Sequence, residues 1–147
     1  MRSRKAERRI SVFALAAALA LPVPGLSCEI CVEDQVAATY SHAVVMKAEA
    51  TGYFVLFTAV HGKIAGDGHS EATIRRVIAS VAGVDRSSIR LSAAPPAASF
   101  AWNPKRLAPG AVLRTINSRL AGSGLALVAL RTFGNRDTQH LKQTAMR

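Results

Sequence analysis

The residues whose chemistry is easiest to name are Cys28 and Cys31, the only two cysteines of the 147-residue chain. They enclose Glu29 and Ile30 and come directly before a segment with helical periodicity. Two sulfurs at this spacing on a helix N-terminus can point the same way, and the helix dipole and free N–H groups stabilise a thiolate. Thiolates suit a soft metal such as Cu(I), whereas a closed zinc site needs four ligands. The sequence therefore predicts a site for copper or another soft ion at Cys28 and Cys31.

Other uses of the cysteine pair remain open. In an oxidising compartment, Cys28 and Cys31 would form a local disulfide that staples the N-terminal segment and binds no metal. A thiol–disulfide redox protein usually places such a motif after a strand in a βαβ unit, and no strand is predicted before Cys28. No Ser/His/Asp arrangement, carboxylate pair or phosphate-binding glycine motif is recognisable, so we expect a protein that is not an enzyme.

Histidine and methionine side chains supply secondary candidate ligands. His42 and Met46 are four residues apart in one helical segment and could form a second soft site, although a surface histidine beside a packed methionine is the simpler interpretation. In one continuous helix, His42 would lie about 16 Å beyond Cys31, too far to share its ion. A glycine-rich stretch further along carries three donors that could converge on a hard or borderline ion, although an exposed linker is the simpler interpretation of this stretch. These donors are His61, Asp67 and His69.

Residues 1–27 have the order of a secretory signal. A basic stretch at 1–9 is followed by an apolar run at 10–21 and then by prolines and small residues. We expect cleavage after Ser27 and a periplasmic or secreted protein, with a retained anchor or lipidation of Cys28 as alternatives. No later stretch is apolar and long enough to predict a membrane span.

The length after this leader suits one domain. We expect residues 28–133 to form it and the polar residues 134–147 to be a disordered tail. The formal net charge is +10, of which the basic leader contributes about four. The other basic residues are scattered and not interleaved with aromatic residues, so nucleic-acid binding is not expected. A metal ion and a protein partner in the cell envelope remain the expected partners.

The hydrophobic pattern predicts an α+β domain. A first helix is expected over 31–49 and a buried central strand over 53–60, because the former repeats every three to four residues and the latter is a continuous apolar run. Ser70 is expected to cap the next helix. A hairpin of two alternating strands follows, then a helix that begins near Pro109 and a last strand over 125–133. A hairpin between two crossover helices is the split βαβ plan, with both helices on one face of an antiparallel sheet.

Residues 53–131 resemble a heavy-metal-associated (HMA-like) domain. The similarity lies in the Gly83-Val84-Asp85 step, the alternating strand after it, the Phe100–Pro104 stretch, and a helix that ends at Gly122. The resemblance implies a ferredoxin-like βαββαβ sandwich, here preceded by an extra N-terminal helix, and a role with copper or a similar ion. In that family the metal-binding Cys-x-x-Cys follows the first strand, where this chain has residues 61–69 and no cysteine. The family's metal ligands therefore match no position here.

A non-enzymatic interaction module with the cysteines as a structural disulfide is the alternative.

Overall fold

The computed structural model describes residues 29–64 and 68–134, with side chains described from Val32 onward. The predicted signal peptide, Cys28, Asp67 and the predicted tail beyond Gly134 lie outside the described residues. The elements are α1 (Glu29–Thr39), α2 (His42–Thr51), β1 (Phe54–His61), α3 (His69–Ala79), β2 (Val84–Ala93), β3 (Pro96–Trp102), α4 (Pro109–Leu120) and β4 (Ala126–Phe133), with a short 3-10 turn at Ala121–Ser123.

The four strands form one antiparallel sheet in the order β2-β3-β1-β4. β1 is central, as its continuous apolar run predicts, and it pairs with β3 from Phe54 opposite Trp102 to Ala59 opposite Ala97. Together with the four helices, this sheet confirms the α+β class. In the described ranges, no helix combines the length and the apolar character needed to cross a membrane.

Helices α3 and α4 cover one face of the sheet and form the larger core with it. This confirms that the two crossover helices lie on the same face. Their apolar stripes pack on the inward side chains of all four strands because residues three or four apart share one helix face. The buried members from the helices are Ile74, Ile78, Val112, Ile116 and Leu120, and those from the strands include Leu56, Ile89, Phe100, Trp102 and Leu127.

Helices α1 and α2 cover the opposite face, so the sheet is buried on both sides. Small side chains on β3 allow this close approach: Ala97 and Ala101 are buried beneath the two helices. The second core is smaller than the first. Its buried residues are Val36, Val44, Ala48, Val55, Phe57 and Ala101.

The prediction of one continuous helix over 31–49 is wrong. The chain leaves helical geometry at Tyr40 and Ser41, and Ser41 has an extended backbone with φ −139° and ψ 112°. The ring of Tyr40 stacks on Phe57 of the sheet at a centroid distance of 6.4 Å, and Ser99 Oγ donates to the carbonyl oxygen of Thr39 at 2.9 Å. Contacts with the sheet thus compensate for the helical hydrogen bonds that are lost at the break. The hydrophobic periodicity of the sequence does not reveal these contacts. The second of the two helices ends at Thr51 and is capped by Gly52, with φ +71°.

The predicted capping role of Ser70 is also wrong. Gly68 takes the N-cap position of α3 with φ +76°, and Ser70 is buried inside the first helical turn. Glycine adopts this left-handed conformation without steric cost, so the helix begins earlier than the serine indicates.

Strand β2 departs from simple alternation because its register with β3 shifts between Asp85 and Arg90. Ser88 and Ile89 are consecutive and both buried. Ser88 Oγ accepts a hydrogen bond from the buried amide of Ala101 at 2.7 Å, which supplies the partner that the interrupted strand ladder would otherwise leave missing.

Candidate functional site

Helix α1 begins at Glu29, so Cys31 lies in its first turn and Cys28 directly precedes it. Cys28 and the side chain of Cys31 lie outside what the structure describes. The rest of α1 is held firmly on the sheet. Gln35 Nε2 donates to the carbonyl oxygen of Pro96 at 3.2 Å, and Glu33 forms an ion pair with Arg131 of β4. The cysteine motif is therefore attached to a docked helix.

His42 and Met46 lie on α2 and both are exposed, with 49% of Met46 accessible. Their spacing places them on one side of this helix. Because the chain bends between α1 and α2, the axial distance of about 16 Å from Cys31 to His42, which assumed a continuous helix, does not apply. The simpler interpretation of a packed methionine also fails, since Met46 is half exposed.

His61 and His69 are the exposed residues that flank the loop between β1 and α3. His61 ends β1, and His69 is the first residue of α3. Asp67, the third donor of this predicted cluster, lies outside the described residues. Within residues 29–64 and 68–134, no group of three or more His, Cys, Asp or Glu side chains is placed to hold a metal ion.

A groove between α2 and β2 was not predicted from the sequence. It encloses about 170 Å³ and has an apolar floor with polar walls. The floor is formed by Val44, Ala48 and Ala101, and the walls include Lys47, Thr51, Tyr53, Asp85, Ser87 and Arg90. The wall residues Asp85, Ser87 and Arg90 belong to the part of β2 where its register with β3 shifts.

Lys47, Asp85 and Ser87 form a hydrogen-bonded triangle at the edge of this groove. Lys47 Nζ lies 2.8 Å from Asp85 Oδ2 and 3.2 Å from Ser87 Oγ. The amide and the hydroxyl of Ser87 both donate to Asp85 Oδ1, at 3.0 and 2.7 Å. The hydrogen bonds from Lys47 and then from Ser87 lower the pKa of Asp85 below its ordinary value of 3.8. A carboxylate stabilised in this way is a weak base, so the triangle does not activate the Ser87 hydroxyl as a nucleophile.

We expect Asp85 to make a small, pH-dependent contribution to the free energy of unfolding. Because its folded pKa is lowered, the contribution is complete above the unfolded pKa of about 3.9 and is lost as the pH falls through the lower folded value. Lys47 is largely exposed, so we expect Asp85→Asn to reduce the free energy of unfolding by less than about 1 kcal/mol at pH 7.

Urea titrations of both proteins at pH 7 and near pH 2.5 test this prediction. The difference between wild type and Asp85→Asn should shrink at the lower pH, and at pH 7 it should shrink in 1 M NaCl. Asp34→Asn, which makes the same change at an exposed position beyond the first turn of α1, is the matched control and should leave the stability nearly unchanged at both pH values. A pH-independent difference of several kcal/mol would contradict this assignment.

The sequence offers only a partial signal for the triangle. Asp85 and Ser87 have the spacing of an Asx turn, in which a carboxylate accepts from an amide two residues on. Lys47 is 38 residues away along the chain, so its approach depends on how α2 packs on the sheet.

No protein-family model matches this chain, and no curated protein matches its sequence. The resemblance to heavy-metal-associated domains stays a prediction that rests on the residues quoted for it.

Proposed function

We propose that this chain is an exported, non-enzymatic metal-binding protein of the periplasm or the secreted fraction, with Cys28 and Cys31 as thiolate ligands of Cu(I) or another soft ion. The observation that carries the proposal is the position of the motif. Glu29 directly follows Cys28 and is the first residue of a helix that is docked on the sheet. The positive end of that helix favours thiolates at this position.

The proposed body is a ferredoxin-like βαββαβ sandwich. The strand order β2-β3-β1-β4 and the crossover helices α3 and α4 on one face support it. The two N-terminal helices are an addition on the opposite face, and they carry the cysteine motif away from the loop after β1. In this proposal the metal site belongs to the added layer.

The donors at hand favour a soft ion over a hard one. Two thiolates select Cu(I) and related ions, whereas a hard ion would need carboxylate or carbonyl oxygens. The exposed pair His42 and Met46 on α2 offers an imidazole and a thioether, which suit copper as well and could serve as a second, weaker site.

The test is intact mass spectrometry of the full chain recovered from its own export compartment, under native and denaturing conditions and without reductant. We expect a mature mass that begins at Cys28 with bound copper, and complete loss of the copper in the double variant Cys28→Ser/Cys31→Ser. Far-ultraviolet circular dichroism should show an unchanged fold. His42→Ala/Met46→Leu is the matched control and should keep the tightly bound ion.

Each other outcome counts against the proposal in a distinct way. A mass two hydrogens light without metal would identify a disulfide staple. A mass increased by a diacylglycerol would identify Cys28 as a lipid anchor. An exchangeable dithiol with an oxidising potential and no metal would indicate a redox protein.

A second candidate function is a non-enzymatic interaction module whose cysteines form the structural disulfide. The groove between α2 and β2 favours it, because an apolar floor with polar walls is typical of sites that bind a small molecule or a short segment. Replacing Ala43, an exposed residue that also lines the groove, by tryptophan should abolish binding of such a partner and leave copper uptake unchanged.

A further inference from the structure

Four arginine residues lie at or next to the C-terminal end of α3. Arg76 lies in the last turn of the helix. Arg86 Nε donates to the carbonyl oxygen of Ala79 at 3.0 Å. The other two arginines, Arg119 from α4 and Arg106 from the connection between β3 and α4, reach the same segment. All four are exposed.

Arg119 and Arg106 approach the end of α3 from the side of α4. Arg119 donates to Ser80 Oγ at 2.6 Å. The side chain of Arg106 covers Gly83, since a Cβ on that glycine would lie 3.2 Å from Arg106 Cβ. Arg86, Arg119 and Arg106 therefore approach one short segment, 79–83, from β2, from α4 and from the connection before α4, and Arg76 lies in the helical turn just before that segment. We call them the arginine cluster.

A helix C-terminus attracts cations, but this attraction does not account for four of them. The partial negative charge there amounts to about half an elementary charge and acts within the last turn. Arg86 and Arg119 are each held in position by a hydrogen bond from one nitrogen, and a guanidinium has five N–H donors in a planar fork. The remaining donors of these two held side chains can reach an outside anion.

The surrounding charge is strongly positive. Residues 68–134 contain two carboxylates, and neither neutralises the cluster. Glu71 lies in the first turn of α3, at its opposite end, and Asp85 is engaged by Lys47 and Ser87 in the groove. The basic residues in the same range are Arg75, Arg76, Arg86, Arg90, Lys105, Arg106, Arg114, Arg119 and Arg131.

We propose that the arginine cluster binds the surface of an anionic lipid bilayer through the headgroup phosphates. Arg forks match phosphate oxygens, and basic residues near a membrane surface are attracted by its negative potential. The exposed Ala108 ends the connection that carries Lys105 and Arg106, and the exposed Pro109 begins α4; both offer small apolar contacts close to these charges in the chain. α3, α4 and the connection 103–108 contain no Phe, Tyr or Trp, so this surface lacks the stacking platform that single-stranded nucleic acid would need. This proposal stands on the described residues and does not depend on metal binding.

Sedimentation with lipid vesicles tests the proposal. The protein used is the form that is recovered from the producing cells. Vesicles of phosphatidylcholine alone are compared with vesicles that contain about one third phosphatidylglycerol, at 0.1 M and 0.5 M NaCl. We expect binding to the anionic vesicles at low salt and its loss at high salt, because the Debye length falls below about 5 Å. Arg76→Gln/Arg106→Gln should weaken the binding about twenty-fivefold, since each basic residue near the surface contributes about fivefold.

The matched control is Lys63→Gln/Arg90→Gln, which removes the same charge away from the cluster. Lys63 precedes α3, at the far end of that helix from the cluster, and Arg90 lines the groove on the other face. Binding of the control variant to anionic vesicles should stay within about threefold of wild type. Circular dichroism should show that both double variants fold. Equal losses in the two double variants would overturn the proposal in favour of net charge alone. Failure of the wild type to prefer anionic vesicles, or tighter binding to a single-stranded oligonucleotide, would overturn it as well.

Discussion

Trp102→Ala is expected to lower the free energy of unfolding by about 3–5 kcal/mol. Trp102 is fully buried and lies on β3, where it pairs with Phe54 of β1 and with Val84 of β2. Its ring meets that of Phe54 edge to face at a centroid distance of 5.7 Å, and Nε1 donates to the carbonyl oxygen of Leu107 at 3.0 Å. The substitution therefore leaves a large cavity and an unpaired carbonyl in one step. Urea denaturation followed by circular dichroism measures the loss, since Trp102 is the only tryptophan.

Trp102→Phe is the matched control for that experiment. It keeps an aromatic ring in the core but removes the hydrogen bond to Leu107, so we expect a smaller loss of about 1–2.5 kcal/mol. Val128→Ala, at an exposed position of β4, should change stability by less than about 0.5 kcal/mol. If all three variants were equally stable, the assignment of Trp102 to the centre of the core would be wrong.

Gly62→Ala is expected to cost about 2–3 kcal/mol because two separate penalties act at this position. Its φ is +110°, which side chains other than glycine rarely adopt. A Cβ there would also overlap the backbone oxygen of Gly124 and lie 3.2 Å from Leu125 Cα. The turn after β1 passes directly against the start of β4, so the overlap cannot be relieved by rotating a side chain. The expected result is a lower urea midpoint at unchanged slope.

Substitutions at two other glycines distinguish the cost of backbone strain from the cost of steric overlap. Gly52 has φ +71°, and a Cβ added there would meet nothing within 4 Å, so Gly52→Ala should show backbone strain alone, about 1 kcal/mol. Gly122 has neither a positive φ nor a close neighbour, so Gly122→Ala should be neutral or slightly stabilising. A Gly62→Ala variant no less stable than Gly52→Ala would contradict the close approach of the two turns.

The elements with strong local patterns could be predicted from the sequence. β1 is a continuous apolar run and proved to be a central strand, and the stripes of α3 and α4 lie in the main core as their spacing predicts. The order of these elements then restricted the topology, because a hairpin between two crossover helices leaves few ways to close one antiparallel sheet.

Features that depend on packing between distant segments could not be predicted. The break at Tyr40 follows from its stacking on Phe57, which is a contact between a helix end and a strand. Ala97 and Ala101 of β3 are buried, and the sequence does not predict this because a small side chain does not reveal whether a helix lies on it. The groove with Lys47 and Asp85 requires the position of α2 on the sheet. For the cysteine motif, the sequence supplied the donors, and the described structure adds the docked helix that follows them.

The unequal size of the two cores has a consequence for how the molecule opens. The apolar cluster beneath α1 and α2 has six buried members, four of which are valine or alanine on the helices or on β3. The cluster beneath α3 and α4 is larger and includes buried side chains from all four strands. Regions with few buried apolar contacts open at lower free energy than the rest of a domain. The N-terminal layer is therefore the natural first cooperative unit to detach, and its amide protons should exchange with solvent before those of β1. A ligand held at the start of α1 would then be coupled to the docking of this layer, because each would raise the population of the other.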